Sequence, residues 1–436
     1  MSRPKIAIIG GGPIGVEAAL YGVCAGYDVQ LFEKGKIAAN VRRWGYVNFF
    51  TLWKKNRSPL AMRLLQKTGI KLHDANTTSS GDELARYAEH ISELPLLKNR
   101  IHLHHEVLAV SRESCLKSDF INDARRSEFP FRLLVRHGNE EKMIHADIVI
   151  DASGVYENPN PLGDGGIPCP GEIPLREKII YHLPDVAGRD LQRFANKHTL
   201  IIGSGHSAAS TLRSIGNLFE QFPQTEISWV IRRGVPAHGA PYSIIPNDPS
   251  PHREQLHRDA NRLAKHPKVH FYSATTVQQI ACQKYFSVLL KQRDQEKEIT
   301  CDTLVAHTGF HADTRLWDQL QIPIHPAIGA PQRLAEELIR QNHRTGVGLS
   351  TGYAERKPPS EVPIDKWRFV QNDPQLLQSG EPGFYIIGIK SYGRDAGFLL
   401  QNGFRQIRDV FRLISGDDSK NDTEELALPF AESITE

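Results

Sequence analysis

Two glycine-rich turns are the residues of this chain whose types and spacing are best suited to chemistry. The first turn, residues 10–15, reads GGGPIG and directly follows the apolar run 6–9. In a G-x-G-x-x-G turn the first glycine permits a tight bend, the second lets the backbone approach a pyrophosphate, and the third lets helix and strand pack closely. A helix beginning here would direct free N–H groups at phosphates. The predicted nucleotide contacts are Gly10, Gly12, Pro13, Ile14 and Gly15.

An acidic residue follows the first turn at the spacing that a ribose requires. The run 28–32 has the composition of a second strand and ends in Glu33. A carboxylate at this position accepts hydrogen bonds from the hydroxyls of an adenosine ribose. Strand, turn, helix and terminal acid together predict a dinucleotide site.

The second turn repeats this pattern about 190 residues further on. Residues 203–208, GSGHSA, follow the apolar run 200–202, and alanine replaces the third glycine, a variation that the fingerprint allows. The predicted contacts of this second site are Gly203, Ser204, Gly205, His206, Ser207 and Ala208.

The strand after the second turn ends in two basic residues instead of an acid. Arg232 and Arg233 follow the run 227–231. A guanidinium can bind a 2′-phosphate through paired hydrogen bonds, whereas a carboxylate would repel it. The pair therefore favours NADPH over NADH, with a merely solvated strand end as the alternative.

The elements that must position these turns alternate between strands and helices. Short apolar strands are predicted at 147–151, 302–306 and 384–389, and Ser80 with Glu83 forms a capping-box pattern at the start of a helix. This alternation predicts an α/β fold with parallel sheets, built from two Rossmann-like dinucleotide-binding domains.

Two such fingerprints in one chain resemble the two-dinucleotide-binding-domain flavoproteins. That superfamily includes thioredoxin-reductase-like enzymes, flavin-containing monooxygenases and N-hydroxylating monooxygenases. The resemblance implies that the first turn binds FAD and the second NADPH, with the NADPH domain (169–301) inserted into an FAD domain made of 1–168 and 302–416. We expect the acidic stretch 417–436 to be a solvated, disordered tail.

The resemblance also implies cofactor contacts outside the two turns. Ser153, Gly154 and Gly388 are expected at the ends of flavin-domain strands. Val107 is expected at the adenine contact and Trp44 near the flavin ring.

The region after Gly388 departs from the family pattern. Ile389 stands where the family commonly has an aspartate for the ribityl chain. Arg394 and Asp395, predicted to lie near the flavin, are the expected catalytic polar groups, with a structural salt bridge between them as the alternative.

The cysteines bear on the class of reaction. The chain has five, none in a C-x-x-C pair, so a branch without the redox dithiol of thioredoxin reductases is expected. We expect an FAD monooxygenase that takes hydride from NADPH and oxygenates a small N- or S-nucleophile with dioxygen through a flavin hydroperoxide. An NADPH-dependent flavin reductase or dehydrogenase with an external acceptor, or a non-catalytic nucleotide-sensing flavoprotein, remains open.

Composition narrows the possible partners. The 436 residues are 40% hydrophobic and 24% charged with a net charge of +3, which gives no reason to expect nucleic acid. Dispersed cysteines and the lack of a long apolar run indicate a cytoplasmic protein without a membrane span. We expect no metal site, and a homo-oligomer remains possible.

Overall fold

The computed structural model describes residues 3–71, 73–235, 239–244, 248, 250–345 and 373–416. The chain forms two compact units. The second unit, Pro159–Phe310, is inserted into the first, whose described residues lie before Pro159 and after Phe310.

A five-stranded parallel sheet is the centre of the first unit, with strand order β17-β9-β1-β2-β5. Its other strands form an antiparallel sheet β6-β7-β8 and a short pair β3-β4. The strands of this unit are β1 (Lys5–Ile9), β2 (Asp28–Glu33), β3 (Asn48–Leu52), β4 (Thr78–Ser80), β5 (Ile101–Leu103), β6 (His105–Arg112), β7 (Phe131–His137), β8 (Glu140–Ala146), β9 (Ile148–Asp151) and β17 (Phe384–Ile386).

The second unit repeats this arrangement on a smaller scale. A parallel sheet with strand order β12-β11-β10-β16 is accompanied by an antiparallel sheet β13-β14-β15. Its strands are β10 (His198–Ile202), β11 (Glu226–Val230), β12 (Val269–Tyr272), β13 (Thr275–Cys282), β14 (Phe286–Gln292), β15 (Gln295–Cys301) and β16 (Thr303–Ala306).

Helices connect and cover these sheets. They are α1 (Pro13–Cys24), α2 (Ala39–Arg43), α3 (Pro59–Lys67), α4 (Gly81–Ser92), α5 (Glu172–Leu175), α6 (His206–Gly216), α7 (Pro251–Leu263), α8 (Gln332–Thr345) and α9 (Leu400–Ser415). Among the described residues, none of these helices has both the length and the apolar composition needed to span a bilayer.

Helix α1 is the element that presents the first glycine turn. It is buried along most of its length, and α9 packs beside it in the same direction. Glycines make this close contact possible, since a Cβ at Gly403 would overlap Ile14 and one at Gly22 would lie 2.8 Å from the ring of Phe411. The N-termini of both helices therefore lie at the same end of the unit.

The α/β class with two Rossmann-like domains, one inserted into the other, is confirmed. The bounds of the inserted unit, 159 and 310, differ from the expected 169 and 301. The cause is β16, which was expected in the returning FAD domain but pairs with β10 and completes the second sheet.

Three local expectations can be compared with the structure. Ser80 caps α4 and Glu83 bonds back to Ser80, so the capping box is confirmed. Strand β17 ends at Ile386 instead of 389, because Gly388 has φ = +72° and begins a 3-10 turn. The acidic stretch 417–436 lies outside the described residues.

Candidate nucleotide-binding sites

The first glycine turn has the three geometric features that its spacing predicts. Gly10 has φ = +102°, and a Cβ there would come within 2.7 Å of the Ser153 Cα. A Cβ at Gly15 would overlap the carbonyl oxygen of Gly10, so this glycine allows helix and strand to touch. Beside Gly12, in contrast, nothing lies within 4 Å of a Cβ. This open space is where a pyrophosphate could approach the backbone.

The N-terminus of α1 is suited to hold an anion. Gly12 is the N-cap and Pro13 is the first helical residue, and no side chain caps the helix among the described residues. The first N–H groups of the helix are therefore available, with the positive end of the helix dipole behind them. Ile14, a residue of this turn, lies next to Gly388. Its Cβ is 3.6 Å from the position that a Cβ would occupy at Gly388.

Glu33 lies at the end of β2, beside the first turn. Its Oε2 accepts a hydrogen bond from the Gly11 N–H at 2.6 Å, and its Oε1 accepts one from the Gly35 N–H at 2.7 Å. These two bonds fix the direction of the carboxylate, and each oxygen keeps further acceptor capacity. The geometry fits the predicted contact with a ribose.

Two buried polar atoms after Glu33 lack protein partners. The Nε1 of Trp44 and the Oδ1 of Asn40 are buried, and neither has a hydrogen-bond partner among the described residues. The Trp44 ring packs edge-on against Phe49 at 5.5 Å. Buried polar atoms without partners are uncommon in proteins, so both atoms fit a polar ligand such as FAD. Asn40 was not anticipated from the sequence, because an isolated asparagine carries no motif.

A buried polar network lies directly after β9. Asp151 is fully buried; its Oδ2 accepts from Lys390 Nζ at 2.7 Å and from Trp317 Nε1 at 2.8 Å. Its Oδ1 accepts from the Ser153 N–H at 3.0 Å, and Lys390 Nζ also donates to Ser153 Oγ at 3.0 Å. Although burial opposes ionisation, the Lys390 charge and these hydrogen bonds lower the pKa of Asp151. The network fixes the Ser153 turn.

The predicted glycines of the flavin-domain strands adopt conformations that favour glycine. Gly154 and Gly388 have φ = +74° and +72°. The Gly388 N–H donates to Gln406 Oε1 at 2.8 Å, which ties the end of β17 to α9. A Cβ at Gly154 would lie 4.0 Å from Ile389, so the isoleucine lies beside this turn, where the family pattern has an aspartate.

The remaining predicted residues of the first unit are dispersed. Val107 lies on β6 opposite Val135, at an irregularity in the pairing. Arg394 is exposed and its N–H donates to the Ile328 carbonyl oxygen at 2.8 Å. Asp395 is buried and its Oδ1 accepts from the Gly397 N–H at 2.7 Å, so part of its carboxylate stabilises a turn.

The second glycine turn has the same design as the first. Gly203 has φ = +134°, and a Cβ there would overlap the carbonyl oxygen of His307. Nothing lies within 4 Å of a Cβ at Gly205, the uncapped N-cap of α6. Ala208 is fully buried, so a methyl group fits where the first turn needs a glycine. Ser204 is exposed and Ser207 is half-buried at the same helix end.

Two aromatic side chains donate hydrogen bonds to carbonyl oxygens of the second turn. Trp229 Nε1 donates to the Gly203 carbonyl oxygen at 2.9 Å, and the Tyr242 hydroxyl donates to the Gly205 carbonyl oxygen at 3.1 Å. His257 stacks on Tyr242 at 4.8 Å and on His206 at 5.2 Å. Burial lowers the pKa of His257. These contacts hold the turn through its carbonyl oxygens, while the Gly203 N–H donates to the Val230 carbonyl oxygen at 3.0 Å.

Arg232 and Arg233 follow β11, the strand next to β10. Arg232 is exposed and Arg233 is half-buried, and the Arg233 carbonyl oxygen accepts from the Ala274 N–H at 2.9 Å. Because β10 and β11 are parallel neighbours, their carboxyl ends lie at the same edge of the sheet. The arginines therefore follow the strand whose counterpart in the first unit ends in Glu33.

The thiols are not arranged as a redox pair. All five cysteines are free. Burial raises the pKa of Cys24 to about 11, and that of Cys169 and Cys301 to about 12, so these three are protonated at neutral pH. In the described part of the chain no group of three His, Cys, Asp or Glu side chains has the geometry of a metal site.

Comparison with known proteins agrees with this architecture. The family described as pyridine nucleotide-disulphide oxidoreductase matches residues 4–332. No curated protein matches the chain.

Solved structures share the fold at low sequence identity. Bacillithiol disulfide reductase Bdr from Bacillus cereus has a TM-score of 0.65 and 15% identity, over 95% of this chain and 99% of that one. The ornithine N-hydroxylase of Kutzneria sp. 744 has a TM-score of 0.60 and 16% identity, over 95% of this chain and 99% of that one. Thioredoxin reductase of T. acidophilum has a TM-score of 0.56 and 15% identity, over 95% of this chain and 100% of that one.

Fold and turns together define a flavoprotein with two dinucleotide-binding domains. The chain belongs to the pyridine nucleotide-disulphide oxidoreductase family. It is therefore an oxidoreductase that uses FAD and a nicotinamide nucleotide, as the sequence predicts. The orphaned Trp44 and Asn40 atoms and the open space beside Gly12 fit the flavin nucleotide.

Proposed function

We propose that the protein is an NADPH-dependent FAD monooxygenase acting on a small N- or S-nucleophile. The observation that carries this proposal is the state of its thiols, since all five are free and three are held protonated by burial. Electrons that reach the flavin would then pass to a dissolved acceptor instead of a dithiol of the chain. With dioxygen as acceptor, NADPH, a proton, dioxygen and substrate give NADP⁺, water and the oxygenated substrate.

We assign FAD to the first turn and NADPH to the second. FAD supplies the redox chemistry when bound, accepting a hydride from the nicotinamide. Glu33 would accept the ribose hydroxyls of FAD, and the backbone at Gly12 would receive its pyrophosphate. In the second unit Gly205 would receive the NADPH pyrophosphate, and Arg232 and Arg233 its 2′-phosphate.

We also propose roles for the other predicted residues of the first unit. Lys390, through Asp151 and Ser153, would position the turn at Gly154 against the flavin. Trp44 would donate its indole N–H to the cofactor. Arg394 and Asp395 are proposed as polar groups beside the reacting centre, where exposed Arg394 could contact substrate.

Reduction of an external disulfide is the second candidate. It is supported by the likeness to bacillithiol disulfide reductase Bdr, whose TM-score of 0.65 exceeds the 0.60 of the ornithine N-hydroxylase. Such a reaction would transfer two electrons and two protons to a disulfide and needs no dioxygen.

One set of assays separates the two. NADPH consumption by the FAD-loaded protein is measured with cadaverine or thioanisole under air containing isotopically labelled dioxygen, and with glutathione disulfide under argon. The proposal expects labelled hydroxylamine or sulfoxide and little turnover under argon. NADPH-dependent thiol production under argon, with no label incorporated under air, would favour the second candidate. A Gly205→Val variant, which should bind no NADPH, is the control for both.

A further inference from the structure

A cleft of about 410 Å³ lies in the first unit, bordered by α1, α9 and the segment that leads into α3. None of the residues of the glycine turn lines it, and neither does Glu33 or the Ser153 turn. The cleft is therefore separate in its lining from the predicted nucleotide contacts, and the function proposed above makes no use of it.

Four basic side chains line this cleft: Lys54, Arg57, Arg405 and Arg408. Lys54 Nζ donates to Asn76 Oδ1 at 3.3 Å, and Arg57 Nη1 lies 3.4 Å from the Met62 sulfur. Among the described residues, no carboxylate oxygen lies within 4 Å of the charged atoms of Lys54, Arg57 or Arg408.

Arg405 and Arg408, both on α9, are close enough for their positive charges to repel each other. Burial lowers the pKa of Arg405, and the neighbouring charge of Arg408 lowers it further, partly offset by Asp409. Like charges gathered in a partly desolvated cleft cost free energy that a bound anion would recover.

One carboxyl group, that of Glu17, also lines the cleft, but it does not have to neutralise the four basic side chains. Glu17 is buried, and its two oxygens accept from the Tyr87 hydroxyl at 2.6 Å and the Ser58 hydroxyl at 2.7 Å. Burial raises the pKa of Glu17 to about 7, against the opposing effect of those hydrogen bonds. Below a pH of about 7 the Glu17 carboxyl is therefore mostly protonated, and the remaining charges that line the cleft are positive.

Apolar side chains complete the lining. Leu60, Met62, Phe404 and Ile407 all contribute. A site with several cations on one side and apolar surface on the other suits a ligand that carries both kinds of group. Inorganic phosphate alone would leave the Phe404 and Met62 surface uncovered.

We propose that this cleft binds a small organic anion, with its carboxylate or phosphate between Arg57 and Arg408 and its apolar body against Phe404 and Met62. A guanidinium pair binds either anionic group through charge-assisted hydrogen bonds. The cleft volume accommodates a ligand of roughly the size of a substituted benzene ring.

Calorimetric titration of the purified full-length protein tests this proposal. The probes are benzoate and phenyl phosphate, which distinguish the two anionic groups, and neutral benzamide. We expect at least one anion to bind and benzamide to bind at least about ten-fold more weakly, because charge-assisted hydrogen bonds are worth about 1.5–3 kcal/mol each. Absence of heat with both anions would overturn the proposal.

Matched variants locate the site. Arg57→Gln with Arg408→Gln should weaken anion binding at least about ten-fold, whereas Lys55→Gln with Lys67→Gln, which removes two exposed charges of the same unit, should not. Arg232→Gln with Arg233→Gln tests whether the probe binds at the NADPH turn instead. Loss of binding in that last variant alone, or equal loss in the cleft and control variants, would contradict the proposal.

Substitution of Phe404 tests the proposed contact with the apolar part of the ligand. Phe404→Ala should weaken phenyl phosphate while leaving the binding of inorganic phosphate unchanged, because only the former contacts the ring. Thermal unfolding without ligand checks that each variant is folded. Equal binding of phenyl phosphate to wild type and Phe404→Ala would remove the apolar contact from the proposal.

Discussion

The ammonium group of Lys390 lies 2.7 Å from Asp151 Oδ2 in a fully buried ion pair, although 239 residues separate the two in sequence. The same nitrogen donates to Ser153 Oγ, so the pair connects the ends of β9 and β17 through the turn that precedes Gly154. Lys390 thereby links the last strand of the first sheet to the chain segment expected beside the flavin.

We predict that Lys390→Met destabilises the protein by about 3–5 kcal/mol, because it leaves Asp151 charged, buried and without its cation. Urea unfolding of the variant against wild type measures the loss. Adding Asp151→Asn to Lys390→Met should recover a large part of it, since the double variant leaves no unpaired buried charge at this position. Lys98→Met, at an exposed lysine, is the control, and an equal effect of both lysine substitutions would refute the structural role.

The open space at Gly12 and Gly205 leads to a second prediction. Gly12→Val should retain the fold, at a cost of about 1 kcal/mol for the altered N-cap, but lose FAD, because the added side chain would occupy the pyrophosphate space. Gly205→Val should keep FAD and lose NADPH. The two variants serve as controls for each other. Cofactor content after gel filtration and the KM for NADPH are the measurements, and loss of FAD in Gly205→Val would reverse the assignment.

The two arginines after β11 lead to a third prediction. Arg232→Ala with Arg233→Ala should raise the KM for NADPH roughly 10- to 100-fold, the equivalent of one charge-assisted hydrogen bond of about 1.5–3 kcal/mol. The KM for NADH should change little, because NADH lacks the 2′-phosphate. Lys265→Ala, an exposed lysine of the same unit, is the control. Equal changes for both nucleotides would exclude the proposed recognition.

Glu17 leads to a prediction about pH. Its pKa is raised from 4.5 to about 7 in the folded protein, so between these values the native state binds a proton that the unfolded state releases. The stability of the wild type should therefore fall by up to about 3 kcal/mol relative to Glu17→Gln as the pH rises through this range. Urea unfolding of both proteins at several pH values checks this. Parallel pH profiles would contradict the raised pKa.

The glycine turns could be predicted from sequence because their geometry is local. Each follows from residue types within a few positions, and Gly10, Gly12 and Gly15 have the backbone features that their spacing requires. The same holds for the capping box at Ser80, where both partners lie within one helical turn.

What the sequence did not reveal depends on contacts between distant segments. Lys390 had no recognisable motif, and only the fold brings it to Asp151. The antiparallel sheets were also missed, although β7 alternates between buried and less buried residues, a pattern typical of a strand with one face on a core. Strand β16 was assigned to the wrong unit because its pairing with β10 is set by the sheet and not by its composition.

Anaerobic titration of the FAD-loaded protein with NADPH tests the central claim most directly. Two nucleotide sites in one oxidoreductase require that NADPH reduces the bound flavin, so the visible absorbance of oxidised flavin should disappear at about one equivalent of NADPH. NADH should do this only at much higher concentration. A purified protein that takes up no FAD, or a flavin that neither nucleotide reduces, would contradict the account.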